Sequence, residues 1–203
     1  MPSKKIKLHL GCGSVYLKGW VNIDRRDLDV IRPDDSRWEK YKEQNTTTIK
    51  KYYKRKYIKS YSATRKIVAD RKFDIRHLGW KIEKGTVSEI LAVQVLEHIP
   101  KMNVDEFIRS CYKILKPRGE IYMDVPDIIP TVAMAYNAKD DYKELEYALR
   151  LIYGSGKSEG HIHHDGYFVE KIVDMFKRVG FKNICVCNKI PHKYPTIGIS
   201  ATK

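Results

Sequence analysis

Ile6-Lys-Leu-His-Leu-Gly-Cys-Gly13 is the stretch that decides the fold. Its first five residues alternate with the period of two that marks a strand, and they run straight into two glycines. Glycine at that junction lets the backbone turn sharply and lets it approach a ligand where a side chain would collide. A second short strand, Trp20-Val-Asn-Ile-Asp24, follows and ends on an acid. A dinucleotide fingerprint would need GxGxxG and an acid about 20 residues further on. Here the third glycine is replaced by Tyr16, and Asp24 comes only 11 residues after Gly13, so a nicotinamide cofactor is not expected.

Outward from this start, the apolar periodicity stops between Arg32 and Lys66, where Lys, Tyr, Thr and Asp dominate, and the segment 32–66 reads as an insertion with helical character in its second half. Order resumes at Ile67-Val-Ala-Asp70 and Phe73-Asp-Ile75, and Glu89-Ile-Leu-Ala-Val-Gln94 reads as a buried strand. After Pro100 comes a strong helix signal. Asn103 and Glu106 fit a capping box, and Val104, Phe107, Ile108, Cys111, Ile114 and Leu115 make one apolar stripe that Pro117 ends. Lys116-Pro-Arg-Gly119 turns the chain into Glu120-Ile-Tyr-Met-Asp-Val125, which completes a βαβ unit. Phe168, Ile172, Met175, Phe176 and Val179 predict a later crossover helix with Gly180 as its cap, and two strands close the chain at Asn183–Cys187 and Thr196–Ala201. Two adjacent final strands place one antiparallel strand on a mostly parallel sheet, so the fold class is α/β. Residues 126–166 are then extra material at the carboxyl rim of the sheet, where such folds bind substrate. They hold a helix with Tyr142, Leu145, Ala148, Leu149 and Ile152 on one face, and the polar run Gly154 to Gly166.

The chain has 203 residues, enough for one domain with a sizeable core, and a single domain over 1–203 is expected. Its 39 Lys/Arg against 25 Asp/Glu give a formal charge of +14. Most of the excess is local: residues 32–72 hold 14 basic and 5 acidic residues, leaving 25 against 20 for the rest of the chain. No apolar run reaches the roughly 18 residues that span a bilayer, and the first residues lack the apolar core of a signal peptide, so a cytoplasmic location is expected. Cys12, Cys111, Cys185 and Cys187 are too few and too irregular for a disulfide framework, and all are expected to be reduced and packed in the core.

Leu8-His-Leu-Gly-Cys-Gly13, Lys18-Gly-Trp-Val-Asn-Ile-Asp24, Val95-Leu-Glu-His-Ile99 and Ile114-Leu-Lys-Pro-Arg-Gly-Glu-Ile121, in that order, resemble the motifs of the class I S-adenosylmethionine (SAM)-dependent methyltransferases. More narrowly, the set is similar to short methyltransferase-11-type proteins associated with polysaccharide and cell-surface glycan synthesis. The resemblance implies a Rossmann-like seven-stranded sheet with SAM as cofactor. It places the backbone of Leu10, Gly11, Cys12 and Gly13 against the amino acid end of SAM and Asp24 on the ribose hydroxyls. Asp74 then falls on the adenine amino group with Ile75 beside the ring, and Gln94 under the methionine end. Arg118 departs from the usual Lys-Pro-Gly-Gly turn, and the insertion between Asp24 and Asp74 makes the Asp74 match depend on alignment across it.

A hydroxyl acceptor must lose a proton, and a histidine titrating near neutrality suits that task. His98 and the cluster His161, His163, His164 are the two sources, with His164 the preferred base. The cluster with Asp165 could also ligate a divalent ion, but no matching ligand set is evident elsewhere in the sequence, so no metal is expected. Gly154-Ser-Gly-Lys-Ser158 is not a phosphate loop, because position 151 is Leu and the segment follows a helix. The acceptor expected from the resemblance is a small molecule or glycan, with an anionic one favoured by the charge. Residues 50–66 mix cations with tyrosines and equally suit a nucleic acid, an anionic glycan, a phospholipid face or a solvated lid. The rival readings are a nucleic-acid methyltransferase and a non-catalytic SAM-binding scaffold.

Overall fold

In the computed structural model, residues 5–25, 30–54 and 66–203 are described. Ile6–Leu10 (β1), Val21–Asp24 (β2), Arg71–Lys72 (β3), Val87–Val93 (β4), Leu115–Pro126 (β5), Lys182–Val186 (β6) and Thr196–Thr202 (β7) form one sheet in the order β6-β7-β5-β4-β1-β2-β3. Strand β7 runs antiparallel to both neighbours, β5 and β6, and the other pairings are parallel. This is the expected sheet. Strand order reverses between β1 and β4, and the carboxyl ends of such neighbours flank the crevice where open α/β sheets bind ligands.

The helices are Trp38–Asn45 (α1), Ile49–Lys54 (α2), Leu78–Lys81 (α3), Lys101–Ile114 (α4), Ile128–Asn137 (α5), Tyr142–Tyr153 (α6) and Val169–Val179 (α7). One sheet face, with Leu8, Leu10, Ile90, Ala92, Ile121 and Met123, packs in a single core with Phe107 and Ile108 of α4, Leu78 of α3 and Ile172 and Phe176 of α7. The other face is covered by α2. Tyr52 is buried with Leu91, Val93 and Tyr122, its ring 5.8 Å from His9, and the Tyr53 ring sits 6.2 Å from Tyr122. Helix α1 seals a smaller cluster in which Trp38 meets Tyr16, Ile31 and Val68. The segment read as an insertion is therefore helical in its first half as well, and its described part is packed into the body. Residues 26–29 and 55–65 lie outside the described residues, and with them most of the basic stretch 50–66.

Several local expectations need correction. Helix α4 starts at Lys101 with Pro100 at its N-cap position, and the Asn103 N–H donates to the Pro100 carbonyl at 2.7 Å, so the capping box does not form. A cap contributes about 1 kcal/mol. Each buried apolar side chain of the Val104 to Ile114 stripe contributes about 1.5–3 kcal/mol, so the stripe dictates the helix and the cap yields. Helix α5 has no counterpart in the sequence reading, and Pro130 lies inside it. The proline sits in the first turn, where a missing N–H costs no helical bond, and Asp127 caps the helix by accepting from Ile129 N at 3.2 Å. Gly180 ends α7 as expected, with φ +103° and its N–H bonded to the Lys177 carbonyl. The core placement of Cys185 and Cys187 is overturned: Cys185 is exposed on the edge strand β6, and Cys187 is half-buried just past its end, whereas Cys12 and Cys111 are buried.

Candidate active site

Strand β1 delivers Gly11 and Gly13 to the switch point with φ of +59° and +53°, a region that side-chain-bearing residues rarely adopt. A Cβ at Gly11 would stand 2.5 Å from Val95 Cγ2, so this glycine allows close packing against the β4 exit. A Cβ at Gly13 would enter open space, which leaves a cradle beside bare backbone. The Cys12 N–H continues the β1–β2 pairing by donating to the Ile23 carbonyl, and its side chain is buried against Ile67 and Ala69, so Cys12 presents only main chain to the cradle. Leu10 is fully buried in the core.

Asp24, at the end of β2, is 6% exposed and held on both oxygens: Gly13 N donates to Oδ2 at 2.7 Å and Arg25 N to Oδ1 at 2.8 Å. A carboxylate has about four acceptor positions, and these two backbone bonds fix the plane of this one at the end of β2. Asp74 is engaged differently. Its Oδ1 caps the turn at Ile75–His77 by accepting from Arg76 N, while Oδ2 takes Arg25 Nη1 at 2.7 Å and the Arg76 guanidinium. Burial works to raise its pKa, but the Arg76 and Arg25 bonds outweigh it and hold the carboxyl at about 2. Ile75 packs half-buried against the main core.

Gln94 follows β4 with φ +54°. Its side chain is part of a network that the sequence reading missed. Gln94 Nε2 donates to Asp124 Oδ1 at 3.0 Å, Tyr194 Oη donates to Gln94 Oε1 at 3.2 Å, and His192 Nε2 lies 3.1 Å from Asp124 Oδ2. The Asp124 and His192 side chains are buried. The Pro191-His-Lys-Tyr194-Pro loop between β6 and β7 thus folds over the carboxyl ends of β4 and β5. Gln94, Asp124, His192 and Tyr194 come from three separate chain segments, and of these the sequence reading had singled out Gln94 alone.

Beyond Gln94 the chain turns through Leu96–His98. His98 Nδ1 bonds the Ile162 carbonyl at 3.0 Å, and its ring stands 4.8 Å from that of His163, whose Nδ1 bonds the Leu151 carbonyl at 3.0 Å. Burial lowers the His163 pKa. The His164 N–H donates to the Glu97 carbonyl at 2.8 Å while the residue itself is exposed. The polar loop is therefore pinned on the β4 exit, and His163, not the preferred His164, is the ring brought to His98. His161 pairs with Ser158 and Asp165 with Lys171, so neither joins that group.

No protein-family model matches the chain, and no curated protein matches it. Solved structures do. It is similar to a SAM-dependent methyltransferase from Archaeoglobus fulgidus at 11% identity and TM-score 0.54, over 98% of this chain and 86% of that one. It is similar to a Methanosarcina mazei SAM-dependent methyltransferase at 14% identity and TM-score 0.51, over 100% and 94%. The Burkholderia thailandensis 1,6-didemethyltoxoflavin-N1-methyltransferase, solved with S-adenosylhomocysteine, matches at 9% and 0.53, over 98% and 70%. Together with the strand order, these likenesses establish a Rossmann-like fold shared with the class I SAM-dependent methyltransferases.

Proposed function

We propose that the chain is a SAM-dependent methyltransferase acting on a hydroxyl of a small molecule, with a sugar or surface-glycan precursor as the acceptor class. The observation that carries the cofactor reading is the clasp between Gly13 N and Asp24 Oδ2 beside the open cradle. Leu10 to Gly13 would hold the amino acid end of the cofactor, Asp24 its ribose, and Ile75 the adenine. The clamped state of Asp74 makes it a weaker candidate for the adenine amino group than the motif suggests. SAM supplies an activated methyl on a sulfonium. The protein aligns the acceptor, a contribution equivalent to effective molarities on the order of 10⁵ to 10⁸ M, and takes up the hydroxyl proton. With SAM bound, the O–C bond would form as the C–S bond broke, and the sulfonium would leave as a neutral thioether. The histidines of the β4 exit and the 161–164 loop support proton uptake, with His98 and His164 as candidate bases. The glycan class rests on the sequence resemblance and on the basic charge.

Calorimetric titration with SAM and S-adenosylhomocysteine tests the reading. Binding to wild type that weakens at least about 10-fold in Asp24→Asn is the expected result, since a lost charge-assisted bond costs about 1.5–3 kcal/mol. No binding to wild type would overturn it. Transfer of labelled methyl to sugars, anionic oligosaccharides and RNA then separates acceptors, and RNA methylation that falls steeply with salt would favour the nucleic-acid reading instead.

A further inference from the structure

The β4 exit turn and the polar loop bring together three ligand-type side chains, two of which, Glu97 and His163, have no part in the function above. One donor atom each from Glu97, His98 and His163 lies within 4.8 Å of the others. Glu97 is 1% exposed, and neither of its carboxylate oxygens has a hydrogen-bond partner. A buried carboxyl with no partner on either oxygen costs several kcal/mol, and a bound cation removes that cost. The two imidazoles are each anchored by a backbone carbonyl. His98 Nδ1 meets the Ile162 carbonyl and His163 Nδ1 the Leu151 carbonyl, and a carbonyl can only accept. Carbonyl partners of this kind put the proton of each ring on Nδ1, the outer hydrogen bond by which metal-binding histidines are commonly held.

We infer that Glu97, His98 and His163 form a site for a divalent first-row transition ion such as Zn²⁺, Mn²⁺ or Co²⁺. Two imidazoles and one carboxylate suit these ions better than Mg²⁺ or Ca²⁺, which prefer all-oxygen shells. Ligation at about 2.0–2.2 Å draws the three donors closer together than they stand in the metal-free arrangement. Three protein ligands leave a coordination position open to an oxygen. This extends the hydroxyl-acceptor reading and rests on it for its role: an acceptor oxygen on the ion loses its proton to water more readily and then takes the methyl from the sulfonium. The sequence reading found the histidine cluster without a matching set. Glu97 and His98 supply it, with His163 the one member of the cluster that joins, and the proposal departs there from the expectation of no metal.

The test reads the metal directly. Full-length protein freed of metal by chelator dialysis is titrated with Co²⁺, followed by visible d–d absorption, and Zn²⁺ is then added as competitor. One Co²⁺ per chain with ligand-field bands, displaced by Zn²⁺, is the expected result. Glu97→Gln and His163→Asn should each weaken it at least about 10-fold, because losing a ligand costs no less than losing its outer partner. Circular dichroism and SAM titration on the same variants report whether they fold. Absence of stoichiometric Co²⁺ binding in wild type overturns the site, as does unchanged binding in whichever variant folds. Metal binding is measured without SAM, so a chain that binds Co²⁺ but not SAM sinks the methyltransferase reading and leaves the site standing, and the reverse result does the opposite.

Discussion

Alanine at Gly11 and alanine at Gly13 should separate folding from cofactor binding. Both glycines sit in the left-handed region, at φ +59° and +53°, where an L side chain costs about 1–2 kcal/mol. At Gly13 nothing else opposes the new methyl, because no atom lies within 4 Å of its ideal position. At Gly11 the methyl would stand 2.5 Å from Val95 Cγ2. Val95 is 6% exposed and β-branched, so it has little freedom to turn away, and overpacking adds about 1–3 kcal/mol. The Gly11→Ala total is then about 2–5 kcal/mol. For a chain of 203 residues, about 2–4 °C of Tm is lost per kcal/mol. Thermal unfolding should therefore show a drop of about 2–8 °C for Gly13→Ala and about 4–20 °C for Gly11→Ala. Calorimetric SAM titration should run the other way per unit of stability lost, because the Gly13 methyl fills space assigned to the cofactor. A Gly13→Ala protein that binds SAM as wild type does would refute the cradle, and one that is destabilised as much as Gly11→Ala would refute the packing argument.

The remaining predictions concern polar groups and the loop. His9 is fully buried, and burial lowers its pKa from 6.5 to about 4 against the opposing hydrogen bond to Asn22. Its folded form stays neutral, so this contribution is complete above pH 6.5 and is lost as pH falls toward 4. Denaturant titrations should find about 3 kcal/mol less stability at pH 4 from this residue, and a His9→Gln protein should show a shallower slope over that window. A parallel slope in the two proteins would disprove the assignment. His192→Ala removes the partner of Asp124 Oδ2 in a buried network, and urea unfolding should report a loss of about 1–3 kcal/mol; an unchanged midpoint argues that the network is dispensable. Gly154→Ala would set a methyl on the His161 carbonyl at φ +83° and so push the histidine loop off α6. Co²⁺ binding should weaken in that variant, and retention of full affinity would show that the loop does not depend on this close approach.

What the sequence made legible was local. Strand β1 with its glycine turn, and the β4-α4-β5 unit, announce themselves through apolar period and punctuation, and the core that packs on α4 follows directly. Misreadings arose where a local rule competed with packing. Asn103 has the chemistry of a cap, but the stripe from Val104 to Ile114 and the proline before it set the helix start. Helix α1 reads Trp-Glu-Lys-Tyr-Lys-Glu-Gln-Asn, half of it charged, and is fixed by one buried indole against Tyr16 instead of by a stripe. Cys185 alternates as a core residue would, yet β6 is an edge strand whose residues remain largely open. For the proposed site, local motifs singled out residues at the ends of β1, β2 and β4, but not the partners that the fold brings to them. His163 is 65 positions from His98, and His192 is 68 from Asp124, distances over which no spacing rule operates.

Residues 11–20 join β1 to the parallel strand β2 without a helix, and Val15, Leu17 and Trp20 are the part of that crossover that packs on the sheet. The tyrosines of α2, nearly thirty residues further along, complete that layer over His9, Leu91 and Tyr122. The boundaries that composition draws and those that the architecture obeys therefore disagree. A minimal chain made by excising 32–54 as a dispensable decoration would bare an apolar sheet surface and should precipitate. Any transplant of the sheet and its helices into another scaffold has to carry α2 along.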